Sequence, residues 1–252
     1  MYSLYIHIPF CRQACHYCDF HFSTTLKRKG EMVKALCKEL KLRKTEATTP
    51  LQTIYLGGGT PSVLTFAELS ELFATIHRHY RINHGAEITI EVNPDDFSRS
   101  DSELSLTQLK ELGINRLSVG IQSFFEEDLR LMNRAHSAQQ ATAFLEKAVP
   151  LFANTTIDLI YGIPHMTQER WLTNIERALS FKIPHLSAYA LTVEPRTALY
   201  QFIKKGKIPP TDDAQANKHF YLLKERLEQE GFIHYLSLIH ISEPTRLLSI
   251  SY

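Results

Sequence analysis

The 252-residue sequence lacks most features that would mark a nucleic-acid, membrane or secreted protein. Its 28 basic and 27 acidic residues leave a formal net charge of +1, without the basic excess of a general nucleic-acid binder. Two basic clusters, Lys27-Arg28-Lys29 and Lys204-Lys205-Gly206-Lys207, read as solvated surface. No apolar run approaches the roughly 20 residues that span a bilayer, so no transmembrane segment is expected. No signal-peptide pattern opens the sequence, and the expected location is the reducing cytoplasm, where disulfides are rare. Cysteine is scarce, with four residues in all, and there is no second Cys-x2-Cys pair of the kind structural zinc sites use. The Gly-Lys-Ser/Thr ending of a phosphate loop is missing too. What is present is an ordinary globular composition, 44% hydrophobic, at a length that suits one α/β barrel.

Three of the four cysteines are concentrated on one loop. Cys11, Cys15 and Cys18 read Cys-x3-Cys-x2-Cys directly after the apolar run from Leu4 to Phe10. Three thiolates so placed can hold three corners of an iron–sulfur cube and leave one iron open for chemistry. Structural zinc is the competing reading, with His16 and His21 nearby as further donors. Cys37 lies on the apolar stripe of a helix and reads as a small core hydrophobe.

Six short apolar runs punctuate the chain: 4–8, 53–56, 87–92, 116–121, 156–161 and 185–191. Most are closed by Gly, Pro or Asn, as buried parallel strands tend to be. Helical patterns separate them. Met32, Val33, Leu36, Cys37 and Leu40 make one stripe, and Thr65 with Glu68 predicts a capping box before Leu69, Leu72, Phe73 and Ile76. Further helices are expected over 138–152, 168–179 and 213–230, the last stopped by Gly231. Six strand–helix repeats predict a parallel sheet with helices outside. The unusual residues recur after successive strands, which favours an incomplete barrel over an open doubly wound sheet.

Those residues form a series. Gly57-Gly58-Gly59-Thr60-Pro61 follows the second run, and glycines there let backbone amides approach a ligand closely. Glu91 lies within the apolar third run, before Asn93-Pro94, and needs a cation or donor unless it faces water at the rim. Gly120-Ile121-Gln122-Ser123 ends the fourth run, with Arg134 beyond it. Asp158 lies within the fifth, and a salt bridge from Arg134 is the plain structural reading for both.

Taken together, Tyr-Ile-His-Ile-Pro-Phe-Cys, Cys-His-Tyr-Cys-Asp-Phe, Gly-Gly-Gly-Thr-Pro, Glu-Val-Asn-Pro, Gly-Ile-Gln-Ser-Phe, Asn-Arg-Ala-His and Asp-Leu-Ile-Tyr-Gly-Ile-Pro resemble the radical S-adenosylmethionine (SAM) enzymes. In that order they resemble the oxygen-independent coproporphyrinogen III oxidase family, from about Tyr2 to Tyr235. The resemblance implies an α/β fold, an incomplete (β/α)6 TIM-like barrel. It implies a [4Fe–4S] cluster on Cys11, Cys15 and Cys18, with SAM on the open iron and reductive cleavage to a 5′-deoxyadenosyl radical. Matched motif by motif, SAM contacts fall at Tyr5, Gly58, Glu91 and Ala190. A second SAM, known in the oxidase branch, matches Tyr17, Gly59, Thr60, Gln122, Arg134 and Asp158.

Phe20 stands where the oxidase branch carries a further cysteine, and that branch has a long arm before a cluster loop that here begins at Cys11. Both departures resemble the family's heme-chaperone branch. The partners this implies are heme or porphyrin, heme-acceptor proteins and an electron donor such as flavodoxin or ferredoxin. The alternatives are a true oxidase that decarboxylates coproporphyrinogen III and a zinc-stabilised α/β binding protein. After Tyr235 the family would continue into a C-terminal domain that carries a His-Asn-x-x-Tyr-Trp heme motif. That domain is expected to be missing. Residues 1–235 read as the barrel and 236–252 as a non-native tail that resembles translated adapter sequence, which leaves heme binding by this chain in question.

Overall fold

The computed structural model describes residues 2–99, 102–237 and 248–251. Strands and helices alternate as the sequence predicts. The first half contains β1 (Tyr2–Ile8), α1 (Lys29–Arg43), β2 (Leu51–Gly58), α2 (Phe66–His79), β3 (Ile82–Val92), α3 (Leu106–Glu111) and β4 (Arg116–Gln122). The second contains α4 (Glu126–Leu131), α5 (Ala138–Leu151), β5 (Asn154–Tyr161), α6 (Gln168–Ser180), β6 (His185–Ala190), α7 (Ala198–Lys204) and α8 (Asp213–Gln229). Two short strands follow, β7 (His234–Ser237) and β8 (Leu248–Ser251). Among the described residues no helix is long and apolar enough to cross a membrane.

Strands β1 to β6 lie side by side in chain order, all parallel, followed by β8 and β7. That sequential order has no reversal point, which sets it apart from a doubly wound sheet and matches barrel winding. Among the described residues no pairing joins β1 to β7, so the barrel is incomplete. Residue 235, the boundary proposed from the sequence, falls inside β7. Of the tail, 238–247 and 252 lie outside the described residues.

Side chains along a strand alternate between faces. One face carries Ile54, Leu56, Ile90, Leu117, Val119, Ile157, Leu159 and Leu186, all completely buried in one apolar core with the helices. The opposite face carries Tyr55, Gly57, Glu91, Ser118, Gly120, Asp158 and Ser187. A closed barrel normally fills its interior with bulky branched residues. Here the inward positions near the carboxyl ends are small or polar, so they leave cavities.

The helices bear out most of the predicted signals. Thr65 caps α2, with its hydroxyl accepting from Glu68 N–H and the Glu68 carboxylate accepting from Thr65 N–H. The Cys37 thiol is buried in the core, 3.8 Å from the Glu71 carbonyl. Gly231 adopts φ +81° just past α8, a conformation that favours glycine.

Candidate functional site

The cysteine loop has little regular structure, and hydrogen bonds from distant parts of the chain hold it. At its neck, Cys11 N–H donates to the Ser23 carbonyl at 3.0 Å and Ser23 N–H to the Pro9 carbonyl at 2.9 Å. The segment after α4 grips the other side. His16 N–H donates to the Met132 carbonyl (3.0 Å), and Asn133 Nδ2 donates to the Ala14 carbonyl (2.7 Å). From α7, Leu199 N–H donates to the His16 carbonyl at 2.8 Å. The Arg12 guanidinium is pinned at 2.8 Å by buried Asp96.

All three loop cysteines line one cavity of about 180 Å³, together with Tyr17, Gly58, Gly59, Thr60, Glu91, Gln122, Arg134 and Asp158. A second cavity of about 790 Å³ adjoins it, lined by Tyr5, Phe20, Tyr189 and Ala190 and sharing Gly58, Glu91, Gln122 and Asp158. The three loop cysteines and every residue matched to a SAM contact therefore face one of these two spaces. They converge because parallel register aligns the strand ends. Ile8 pairs with Gly58, Glu91 with Ser118, and Asp158 with both Gly120 and Ser187.

Among the described residues, no three His, Cys, Asp or Glu side chains are grouped to hold a single metal ion. His16, one donor considered for zinc, lies with Nδ1 2.8 Å from the Leu131 carbonyl and serves as an anchor of the loop. The cavity between the thiols is kept open by glycine. A Cβ on Gly59 would lie 2.7 Å from the Phe10 carbonyl oxygen and 3.0 Å from Cys11 Sγ. Burial raises the thiol pKa of Cys11 and of Cys18. Donors already face the sulfurs, a backbone hydrogen bond from Phe20 to Cys18 among them. Arg134 Nη1 donates to Cys15 Sγ at 3.3 Å, and the Thr60 hydroxyl donates to Cys11 Sγ at 3.6 Å.

Beside the thiols lie two carboxylates. Glu91 is not a water-facing rim group. It accepts from the Tyr55 hydroxyl (2.8 Å) and from Gly58 N–H (3.1 Å), and burial raises its pKa against those two bonds. This approach needs the glycine edge, because a Cβ on Gly57 would sit 2.9 Å from Glu91 Oε1. Asp158 is pushed up to about 7 by burial and then by the Glu91 charge. The plain reading of an Arg134–Asp158 salt bridge does not hold. Asp158 accepts from the Ser118 hydroxyl at 3.4 Å, while Arg134 reaches Cys15, Asn93 and Gly120. Gln122 takes φ +67° at a β-bulge, a left-handed conformation uncommon outside glycine that sets it at the cavity wall.

Sequence reading missed Tyr55, Ser118 and Asn93. The first two share the inward face with Glu91 and Asp158, so strand alternation carried a signal for them. For Asn93 the sequence offers Pro94, which marks a strand end, and the Glu-Val-Asn-Pro motif, neither of which gives its side-chain partners.

This fold and this three-cysteine loop define a class: the chain belongs to the radical SAM superfamily, whose sequence profile matches residues 5–178. Within it, the chain is 36% identical to the heme chaperone HemW of Synechocystis sp., over 92% of this chain and 57% of that protein. It is 34% identical to heme chaperone HemW of Bacillus subtilis, over 93% of this chain and 62% of that protein. The structure of coproporphyrinogen III oxidase (HemN) from Escherichia coli, a radical SAM enzyme, superposes with a TM-score of 0.80 at 32% identity, covering 92% of this chain and 53% of that one. The chain thus spans little more than half the length of these relatives.

Proposed function

We propose that this chain binds a [4Fe–4S] cluster through Cys11, Cys15 and Cys18, binds SAM beside it, and serves in heme handling as a chaperone. The observation that carries this reading is the three thiols around one small cavity, walled by a glycine edge and a half-buried carboxylate and adjoining a larger space. When bound, the cluster would supply one low-potential electron next to a sulfonium. The chain's own residues would do the rest. Glu91, held against Gly58, offers its charge to the ammonium of SAM, while Tyr5, Gly58 and Ala190 frame the ligand. Tyr17, Gly59, Thr60, Gln122, Arg134 and Asp158 are the candidates for a second SAM.

The rim suits a flat apolar molecule such as heme or a porphyrin. Tyr5 is 57% exposed, Phe20 76% and Tyr189 37%, all on the larger cavity. Exposed aromatics around a cleft mark binding surfaces more often than chance exposure does. Heme-acceptor proteins and an electron donor of the flavodoxin or ferredoxin kind follow from this role, in a reducing cytoplasmic setting. The oxidase relative supplies the competing reading. With coproporphyrinogen III, SAM and reductant, the chaperone reading expects no protoporphyrinogen, and its formation would overturn that reading. We further propose that residues 1–235 form the native barrel and that 236–252 are a foreign tail, of which 236–237 and 248–251 pair along the β6 edge of the sheet. Resequencing would refute this if an intact frame ran through the segment into a longer protein.

Glu91→Gln keeps the side chain's shape and removes its charge. A hydrogen bond to a charged group contributes about 1.5–3 kcal/mol, so SAM affinity should fall roughly ten- to a hundredfold. Equilibrium dialysis with labelled SAM on the reconstituted protein reads this directly. Unchanged affinity would remove Glu91 from the site.

A further inference from the structure

We propose that Asn93 is a positioning residue that sets the hydrogen bonds delivered to the sulfurs of Cys11 and Cys15, and through them how readily a cluster held there accepts an electron. This rests on the cluster reading above. Among the described residues no hydrogen bond joins Asn93 to a cysteine. Its amide lies between two groups that each bond one. Arg134 Nη2 donates to Asn93 Oδ1 at 2.6 Å, and Asn93 Nδ2 donates to Thr60 Oγ1 at 3.2 Å.

Proton bookkeeping fixes the direction of the whole chain. A guanidinium has only donors, so the amide atom facing Arg134 must be the oxygen. The amide nitrogen then faces Thr60 and occupies an acceptor position on its hydroxyl. The Thr60 proton is left to point at Cys11 Sγ, 3.6 Å away. On the other arm the same guanidinium is held by Asn93 Oδ1 and by the Gly120 carbonyl at 2.9 Å, which aims Nη1 at Cys15 Sγ. Among the described residues Arg134 Nε is buried without a hydrogen-bond partner, so the terminal nitrogens orient the group.

The surroundings keep Asn93 in place. Its N–H donates to Ser62 Oγ at 3.3 Å, and that hydroxyl donates to buried Asp96 at 2.6 Å. Pro94 disfavours a helical conformation at Asn93, which is extended at φ −109°, ψ 142°. Gly120 leaves the room: a Cβ there would come within 3.0 Å of Asn93 Oδ1 and 3.1 Å of Arg134 Nη2.

Donors to cluster sulfurs stabilise the added negative charge of the reduced state and raise the potential. Asn93→Asp presents two acceptors. The Thr60 proton then turns to the carboxylate, and Cys11 loses its donor. The Arg134 charge is drawn toward Asp and away from Cys15. Reduction should become harder by about tenfold, ~59 mV for one electron. Thr60→Val, which deletes the Cys11 donor, should move the potential the same way by less, and Thr60→Ser should restore it. The double variant Asn93→Asp/Thr60→Val should match Asn93→Asp alone, because Thr60 no longer faces sulfur once Asn93 is Asp.

The experiment is an anaerobic redox titration of the reconstituted proteins, followed by electron paramagnetic resonance. A wild-type protein without a cluster sinks the functional reading itself. A wild-type cluster with Asn93→Asp at the same potential, or with the two single shifts adding in full, overturns this inference and leaves that reading standing. If Asn93→Asp fails to load, Thr60→Val against Thr60→Ser decides, and equal potentials overturn it.

Discussion

Anaerobic reconstitution is expected to give about four irons per chain for the wild type and none for Cys15→Ala, with the barrel intact in both. A cube held at three corners cannot lose one and keep its geometry on a loop this short. The loss should be complete. Cys15 stands outside the apolar core, on a loop fixed by hydrogen bonds to the Met132 carbonyl and from the Asn133 side-chain amide and Leu199 N–H. Arg134 keeps Asn93 and the Gly120 carbonyl when the thiol is gone. The apo-protein should therefore unfold within about 0.5 kcal/mol of wild type, as for other changes off the core. Cys37→Ala is the matched control. It should keep its iron and lose about 1 kcal/mol of stability, because that thiol is a packed core group. Iron and sulfide counts with urea midpoints separate these outcomes, and full iron in Cys15→Ala would sink the cluster assignment.

Asp158→Asn is expected to make the apo-protein more stable at neutral and mildly alkaline pH. Burial raises the Asp158 carboxyl to about 7, with the Glu91 charge adding, while the Ser118 and Ser187 hydrogen bonds and Arg116 pull it down. An unfolded Asp titrates near 3.9. Between those values the folded state binds more protons than the unfolded state, so stability falls as pH rises. The contribution is full below about pH 4 and is lost once pH passes about 7. Asn carries no charge to desolvate and can still accept from Ser118. Three pKa units correspond to about 4 kcal/mol, and partial exposure to cavity water roughly halves that, so the expected gain at pH 8 is ~2 kcal/mol. Urea midpoints of the two apo-proteins from pH 4 to 8 should diverge with rising pH. Parallel curves would show that Asp158 is not held neutral in the fold.

The sequence and the structure agree where the physics is local. Parallel strands buried on both faces appear as short apolar runs closed by Gly, Pro or Asn, so β1 to β6 were placed within a few residues. The cap at Thr65 and the stop at Gly231 depend on a few neighbouring residues and were equally legible. Helices α3, α4 and α7 were not. At six or seven residues they span less than two turns, too few to show a helical period. The position of Glu91 and Asp158 inside apolar runs marked them as unusual, yet their partners were misjudged. Asp158 answers to Ser118, 40 positions away, and Arg134 to Cys15, 119 positions away.

Order along the chain was enough to specify which side chains could build the site: three thiols on one short loop, glycines after β2, and lone carboxylates in apolar strands. Spacing and chemical type are properties of the linear chain. Which donor meets which acceptor is not, because parallel register and a narrow barrel interior bring together groups from different strands. The role of Asn93 between Thr60 and Arg134, and the direction in which protons point along that line, exist only once β2, β3 and the segment after α4 are folded around one cavity.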